Sequence, residues 1–139
     1  MNKGKAAFPE LHNVYIDPVS WTQWKKTGEF PDGTLVMKEL VSVGSKQASS
    51  GNGYFQGEYI RLEASVKNKN HFPDTPGNWG FFRFKIENSL ELRKTAAVEP
   101  SKNCSACHQA SATTDQVFTQ YYPVLRASKA KGEAGIGGK

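Results

Sequence analysis

The chain has 139 residues, room for one ordinary domain but not for two independent cores. Hydrophobic residues make up 37% and charged residues 22%, which excludes wholesale disorder, and no run approaches the ~18 apolar residues of a spanning helix. The formal charge of +5 sits mostly at the ends: Lys3 and Lys5 contribute +2 and residues 127–139 a further +2, so residues 6–126 carry only +1 and offer no basic stripe for nucleic acid.

In chain order, residues 1–9 have a basic start with no apolar stretch behind it and are not a complete secretory signal. Asp17-Pro18-Val19-Ser20 reads as an N-cap followed by proline at the first helical position. Trp21 and Trp24 share one face of that short helix, which Gly28 ends. Pro31-Asp32-Gly33-Thr34 is turn chemistry. Residues 35–43 are predicted to form a strand, with Lys38 between Val36 and Leu40 on one face and Glu39 between Met37 and Val41 on the other. Residues 44–53 are polar and glycine-rich and are expected to form a loop. Alternation over residues 59–66 puts Ile60, Leu62, Ala64 and Val66 on one face of a second strand and Arg61 and Glu63 on the other.

Residues 67–78, with Pro73, Pro76 and Gly77, are expected to form a loop, and residues 79–86 an aromatic strand whose apolar side is Phe82, Phe84 and Ile86. Residues 89–98 fit either a last strand or a short helix. A helix is expected after Pro100, and residues 115–126 are expected to form a second short helical piece broken near Pro123. The 7 prolines and 13 glycines leave no room for four long helices. The predicted fold is therefore α+β, a mainly antiparallel β-sheet with short helices, in one domain over residues 1–139 with a core at about 8–126 and flexible ends.

Both cysteines lie in Cys104-Ser105-Ala106-Cys107-His108, the C-x-x-C-H pattern of covalent c-type haem attachment. Two thiols one helical turn apart can add to the two vinyl groups on one porphyrin edge, and the next residue supplies an imidazole to the iron. A thioredoxin-like pair would follow a buried strand, whereas residues 98–103 are polar and interrupted by Pro100. A zinc site needs about four ligands, which would require His12 or His71 from far away. The helical C-terminal segment is thus expected to carry one haem c, with Cys104, Cys107 and His108 as cofactor-binding residues and His108 as the iron ligand. Thioether attachment takes place outside the cytoplasmic membrane, so the expected location is the periplasm, after removal of a signal peptide. No Met or His follows His108; Met1, Met37, His12 and His71 are the upstream candidates for a second axial ligand. An open distal position, and with it ligand binding or catalysis, is the expectation.

His12-Asn13-Val14-Tyr15-Ile16-Asp17, Trp21, Phe30-Pro31-Asp32-Gly33-Thr34, Lys38-Glu39-Leu40, Gly53-Tyr54-Phe55, Pro76-Gly77-Asn78-Trp79 and Phe118-Thr119-Gln120-Tyr121-Tyr122-Pro123-Val124-Leu125-Arg126, with the late haem motif, resemble the cytochrome P-460 family. The resemblance runs over about residues 8–126. It implies an antiparallel β fold with one c-type haem, commonly as a homodimer, that oxidises hydroxylamine to nitrous oxide through nitrosyl-haem states. Hydroxylamine and nitric oxide would be its small-molecule ligands and a partner cytochrome its electron acceptor, with no nucleic acid and no membrane span. The resemblance also implies a third covalent link to the haem, from Lys38, and a distal carboxylate acting as proton acceptor, for which Glu99 is the candidate.

From the residues alone Lys38 also reads as a solvent-facing lysine, and Glu99 as a solvated loop acid. One consideration favours the link: an ammonium between Val36 and Leu40 is costly to bury, and a cross-linked amine is no longer an ammonium. Tyr54, Phe55, Tyr59, Trp79, Phe81, Phe82 and Phe84 are candidates for core or haem pocket, and Arg61, Arg83 and Arg126 for partners of the haem propionates. Two rival functions stand beside the enzyme: a β-type cytochrome c′ that binds nitric oxide or carbon monoxide without turnover, and a six-coordinate electron carrier using Met37 or His71.

Overall fold

The computed structural model describes residues 9–49, 51–86, 89 and 91–126. Four strands, β1 (Leu11–Ile16), β2 (Leu35–Ala48), β3 (Gly51–Lys67) and β4 (Trp79–Arg83), form one sheet in the order β1-β2-β3-β4. Every pair is antiparallel, so the sheet is a meander. Helix α1 (Pro18–Thr27) joins β1 to β2, and α2 (Ser105–Ser111) and α3 (Pro123–Arg126) follow the sheet, with 3₁₀ turns at Pro76–Asn78 and Thr119–Tyr121. This is the α+β arrangement expected from the strand-rich middle of the chain.

Local chemistry explains where α1 starts and stops. The Ser20 N–H donates to Asp17 Oδ1 at 2.8 Å, Pro18 occupies the first turn, and Gly28 closes the helix at φ 71° with its N–H on the Trp24 carbonyl. The second oxygen of Asp17 accepts the Leu35 N–H at 3.0 Å, so one carboxylate caps α1 and ties it to β2. The expected turn at residues 31–34 forms, with the Thr34 hydroxyl donating to the Pro31 carbonyl at 2.6 Å and Gly33 at φ 89°.

Three expectations need correction. Residues 44–53 are not a loop: β2 and β3 continue through them as a paired ribbon, with Ser45 opposite Tyr54, Lys46 opposite Gly53 and Ala48 opposite Gly51. Backbone pairing needs no apolar side chains, so polarity hid the strands. The aromatic strand ends at Arg83, and its buried face is Trp79 and Phe81 rather than the side carrying Phe82. Phe82 meets Phe72 on the other face at 6.1 Å; the strand is covered on both sides, and alternation then cannot name the core side. Residues 115–126 are not one helical piece: Asp115 and Gln116 turn left-handed at φ 45° and 59°, and α3 begins at Pro123 instead of breaking there, since proline suits a first helical turn. Residues 91–98 contribute only isolated bridges, Leu92 to Lys85 and Val98 to Phe82. The flexibility expected for residues 1–7 and 127–139 lies outside the described residues.

The register divides the sheet into two faces. One carries the rows His12–Leu40–Arg61, Val14–Lys38–Glu63–Arg83 and Ile16–Val36–Ser65–Phe81. On it sits the core of Trp24, Phe30, Trp79, Phe81 and Leu125. Trp24 stacks on Phe30 at 4.1 Å, and its Nε1–H donates to the Leu125 carbonyl at 3.0 Å, which docks α3 against α1. The opposite face carries Met37, Glu39, Leu62 and Ala64.

Asp17 supplies both the cap and the β2 bond, so Asp17→Ala is expected to lower stability by about 1–2 kcal/mol in urea unfolding at neutral pH. Burial alone would raise the Asp17 pKa, but the hydrogen bonds from Leu35 and Ser20 outweigh it and hold the carboxyl below its usual value. Its stabilisation is therefore complete at neutral pH and lost as pH falls through that lowered value. Wild-type and variant unfolding curves should converge in acid; a gap independent of pH would contradict this role.

Candidate functional site

The two thiols lie at the start of α2, Cys104 half-buried and Cys107 exposed, and neither is in a disulfide. Burial, with the charge of Glu99 next, pushes the Cys104 pKa up, so it is a thiol rather than a thiolate at neutral pH. Between them Ser105 is buried and faces inward. His108, one residue after Cys107, is half-buried between two rings, Phe81 at 4.6 Å and Phe118 at 4.8 Å. Phe118 in turn stacks on the exposed Tyr121.

The imidazole has a defined orientation. His108 Nδ1 lies 2.7 Å from the Gln116 carbonyl, and a carbonyl only accepts, so Nδ1 carries the proton and Nε2 keeps its lone pair. Burial lowers the His108 pKa, against the Gln116 hydrogen bond and with help from the charge of Lys38, which favours the neutral ring. A neutral imidazole with Nδ1–H on a backbone carbonyl is the usual state of a metal-ligating histidine. Two thiols three residues apart and this imidazole together fit the donor set of a c-type haem.

The sheet supplies the charged part of the site. Lys38 Nζ is 2.7 Å from Glu63 Oε2, directly across from it on β3. Glu63 Oε1 also lies 3.0 Å from Arg61 Nε and 3.6 Å from Arg83 Nε, so one carboxylate is shared by three cations. The side chains of Lys38 and Glu63 are only 24% and 18% exposed, so Lys38 is neither a free surface lysine nor fully buried. Burial alone would raise the Glu63 pKa, but the hydrogen bond and charge of Lys38, then Arg61 and Arg83, hold it below the usual value. Lys38 and Glu63 are close enough for their charges to act on both Cys104 and His108.

Glu99 lies in the segment that leads into α2. Its N–H donates to the Phe81 carbonyl at 2.7 Å and its carboxylate accepts from Asn103 Nδ2 at 3.0 Å, beside the Cys104 thiol. Cys104 therefore feels both Glu99 and the Lys38–Glu63–Arg83 row. Met37 pairs with Tyr15 and Ala64 on the face away from Lys38, which separates it from His108 by the sheet. His71 is exposed in the loop beside Phe72. His12 is half-buried on the Lys38 face, its pKa lowered by burial and then by the Lys38 charge.

Among the expected aromatic residues, Trp79 and Phe81 are core, whereas Tyr54 is 82% exposed on the ribbon of β2 and β3. Arg61 and Arg83 are engaged with Glu63, and Arg126 donates to the Gln120 carbonyl. Glu63 and Gln116 do not stand out as site residues in the sequence. For Glu63 the only signal was its place on the charged side of an alternating strand; Gln116 had none. Among the described residues no group of three or more His, Cys, Asp or Glu gathers to hold a metal ion. No helix among them is long and apolar enough to cross a membrane.

Comparison with known families matches residues 1–119 to the one described as Cytochrome P460. Comparison with curated proteins finds no match.

Replacing Glu63 by Gln leaves three cations around a neutral amide. Glu63→Gln is expected to lower stability at neutral pH by about 1–3 kcal/mol, discounted for partial exposure. Because the folded pKa of Glu63 lies below the unfolded one, that loss should shrink as pH falls through the folded value. Urea unfolding at neutral and acid pH checks this; an undiminished gap in acid would show that the carboxylate charge is not what stabilises the row.

Proposed function

The chain belongs to the cytochrome P460 family and so carries a haem, and from that premise we propose that it is a periplasmic c-type haem enzyme oxidising hydroxylamine to nitrous oxide. In this reading Cys104 and Cys107 hold the haem by thioethers, His108 ligates the iron through Nε2, and Lys38 is linked to the porphyrin. The observation that carries it is the position of Lys38: a half-buried amine on the sheet face that also packs His108 through Phe81, within electrostatic reach of that imidazole.

A haem held by these residues would supply the redox chemistry, with a partner cytochrome as the proposed electron acceptor. The chain's own residues do the rest. The Gln116 carbonyl holds the His108 Nδ1 proton and keeps the ring in one tautomer. Glu63 accepts the hydrogen bond of Lys38 Nζ and keeps that amine over the same face as His108. Glu99, held by Asn103 beside Cys104, is the proposed proton acceptor for the protons that leave with the electrons. Periplasmic location follows from the thioether reading. A homodimer is the proposed assembly, and the sheet face away from the core, with Leu11, Tyr15 and Leu35 exposed, offers apolar surface for it.

The Lys38–Glu63 ion pair at 2.7 Å also favours a second reading. If the lysine remains an ammonium held by Glu63, the protein is a β-type cytochrome c′ binding nitric oxide or carbon monoxide without turnover.

Peptide mass spectrometry on the digested holoprotein separates the two. The Lys38 peptide is expected to travel with the haem peptide of residues 104–108; separate peptides would leave the gas-binding reading. In a second test, Glu99→Ala should retain nitric oxide binding while hydroxylamine turnover falls by about 100-fold or more. Undiminished turnover would remove Glu99 from the mechanism.

A further inference from the structure

Next to the haem motif lies a tight polar knot. Asp115 and Gln116 are consecutive non-glycine residues with positive φ, 45° and 59°, a conformation that persists only when the surroundings over-determine it. The turn is closed by the Val117 N–H on the Thr114 carbonyl at 2.7 Å. Asp115 Oδ2 meets Lys67 Nζ at 2.7 Å, and the same ammonium donates to the Gly77 carbonyl at 2.8 Å. Gly77 has φ 63°, and a Cβ there would lie 2.5 Å from Asp115 Oδ1, so a side chain at this position would push against the Asp115 carboxylate.

Gln116 is 8% exposed, and both ends of its side-chain amide are engaged. Its Oε1 accepts from the buried Ser105 hydroxyl at 2.9 Å, and its Nε2 donates to the Pro76 carbonyl. Its backbone carbonyl, aimed by the left-handed φ, accepts from His108 Nδ1 at 2.7 Å. One residue thus ties together the loop before β4, Ser105 between the two thiols, and the imidazole.

We infer that Gln116, locked by the Lys67–Asp115 ion pair and by Ser105, is a positioning residue that sets the strength of the His108 Nδ1 hydrogen bond and through it the ferric/ferrous balance of the haem iron. The inference rests on the proposed ligation of the haem by His108. A stronger Nδ1–H···O bond puts more electron density on Nε2, which strengthens the bond to iron and favours the ferric form. Lys67, the last residue of β3, acts only through the geometry of the turn.

The test uses the ferrous holoprotein, read by the iron–histidine stretching band in resonance Raman and by a potentiometric titration. Lys67→Met is expected to lower the stretching frequency and shift the balance toward ferrous about tenfold, which is about 59 mV for one electron. Ser105→Ala should move both readouts in the same direction by less, and Lys67→Arg should restore the wild-type values. A purely structural role for the knot would change the melting temperature and leave band and potential in place; that result in Lys67→Met and Ser105→Ala overturns the inference. Should Lys67→Met not fold, Ser105→Ala decides alone. An iron–histidine band that survives unchanged in His108→Gly would instead refute His108 ligation, and the inference with it.

Discussion

Period-two alternation along β4 sends Trp79, Phe81 and Arg83 to the same face of the sheet, and each of the three meets a different part of the molecule. Trp79, 1% exposed, closes the apolar core against Phe30. Phe81 carries the His108 ring on its side chain and the Glu99 N–H on its carbonyl. Arg83 reaches Glu63 and so touches the charged row. The site is not added to the fold at loop tips. It is continuous with the core through a strand of five residues, and a change in register of β4 would displace the imidazole and the charged row together.

The charged row has a consequence for any chemistry at Lys38. A carboxylate buried with a single cation depends on that cation, and losing it leaves an uncompensated charge. Glu63 has Arg61 and Arg83 as well, at 3.0 and 3.6 Å. If the Lys38 amine is consumed in a link to the porphyrin, the carboxylate still has two guanidinium partners. The sheet can therefore accept either form of the lysine without an orphaned charge, and both functional readings are compatible with one stable fold.

What the sequence made legible was local. The Asp17 cap, the Gly28 stop, the turn at residues 31–34 and the spacing of Cys104, Cys107 and His108 each depend on neighbours a few residues away, so residue type and spacing suffice. What stayed hidden depends on distant partners. Glu63 matters because β2 and β3 pair in one register among several, and Gln116 matters because Lys67, 48 residues from Asp115, fixes its turn. The ribbon at residues 44–53 was hidden for another reason: its strands hold each other through backbone bonds, which leave no mark on composition. The face of β4 was hidden because both of its sides are apolar. None of these could be read from periodicity, since periodicity reports burial and not partners.

The hydrogen bond from Trp24 Nε1 to the Leu125 carbonyl spans 101 residues. It closes residues 24–125 into one loop, with α1 at one end and α3 at the other. Such long closures are slow to find more than they are costly: each doubling of loop length adds only about 0.6 kcal/mol, but non-local contacts delay folding. Phe30 can stack on Trp24, and Trp79 meet Phe30, through shorter closures, so α3 is the last lid added to this core. The α3 turn is thus the latch of this core rather than its nucleus.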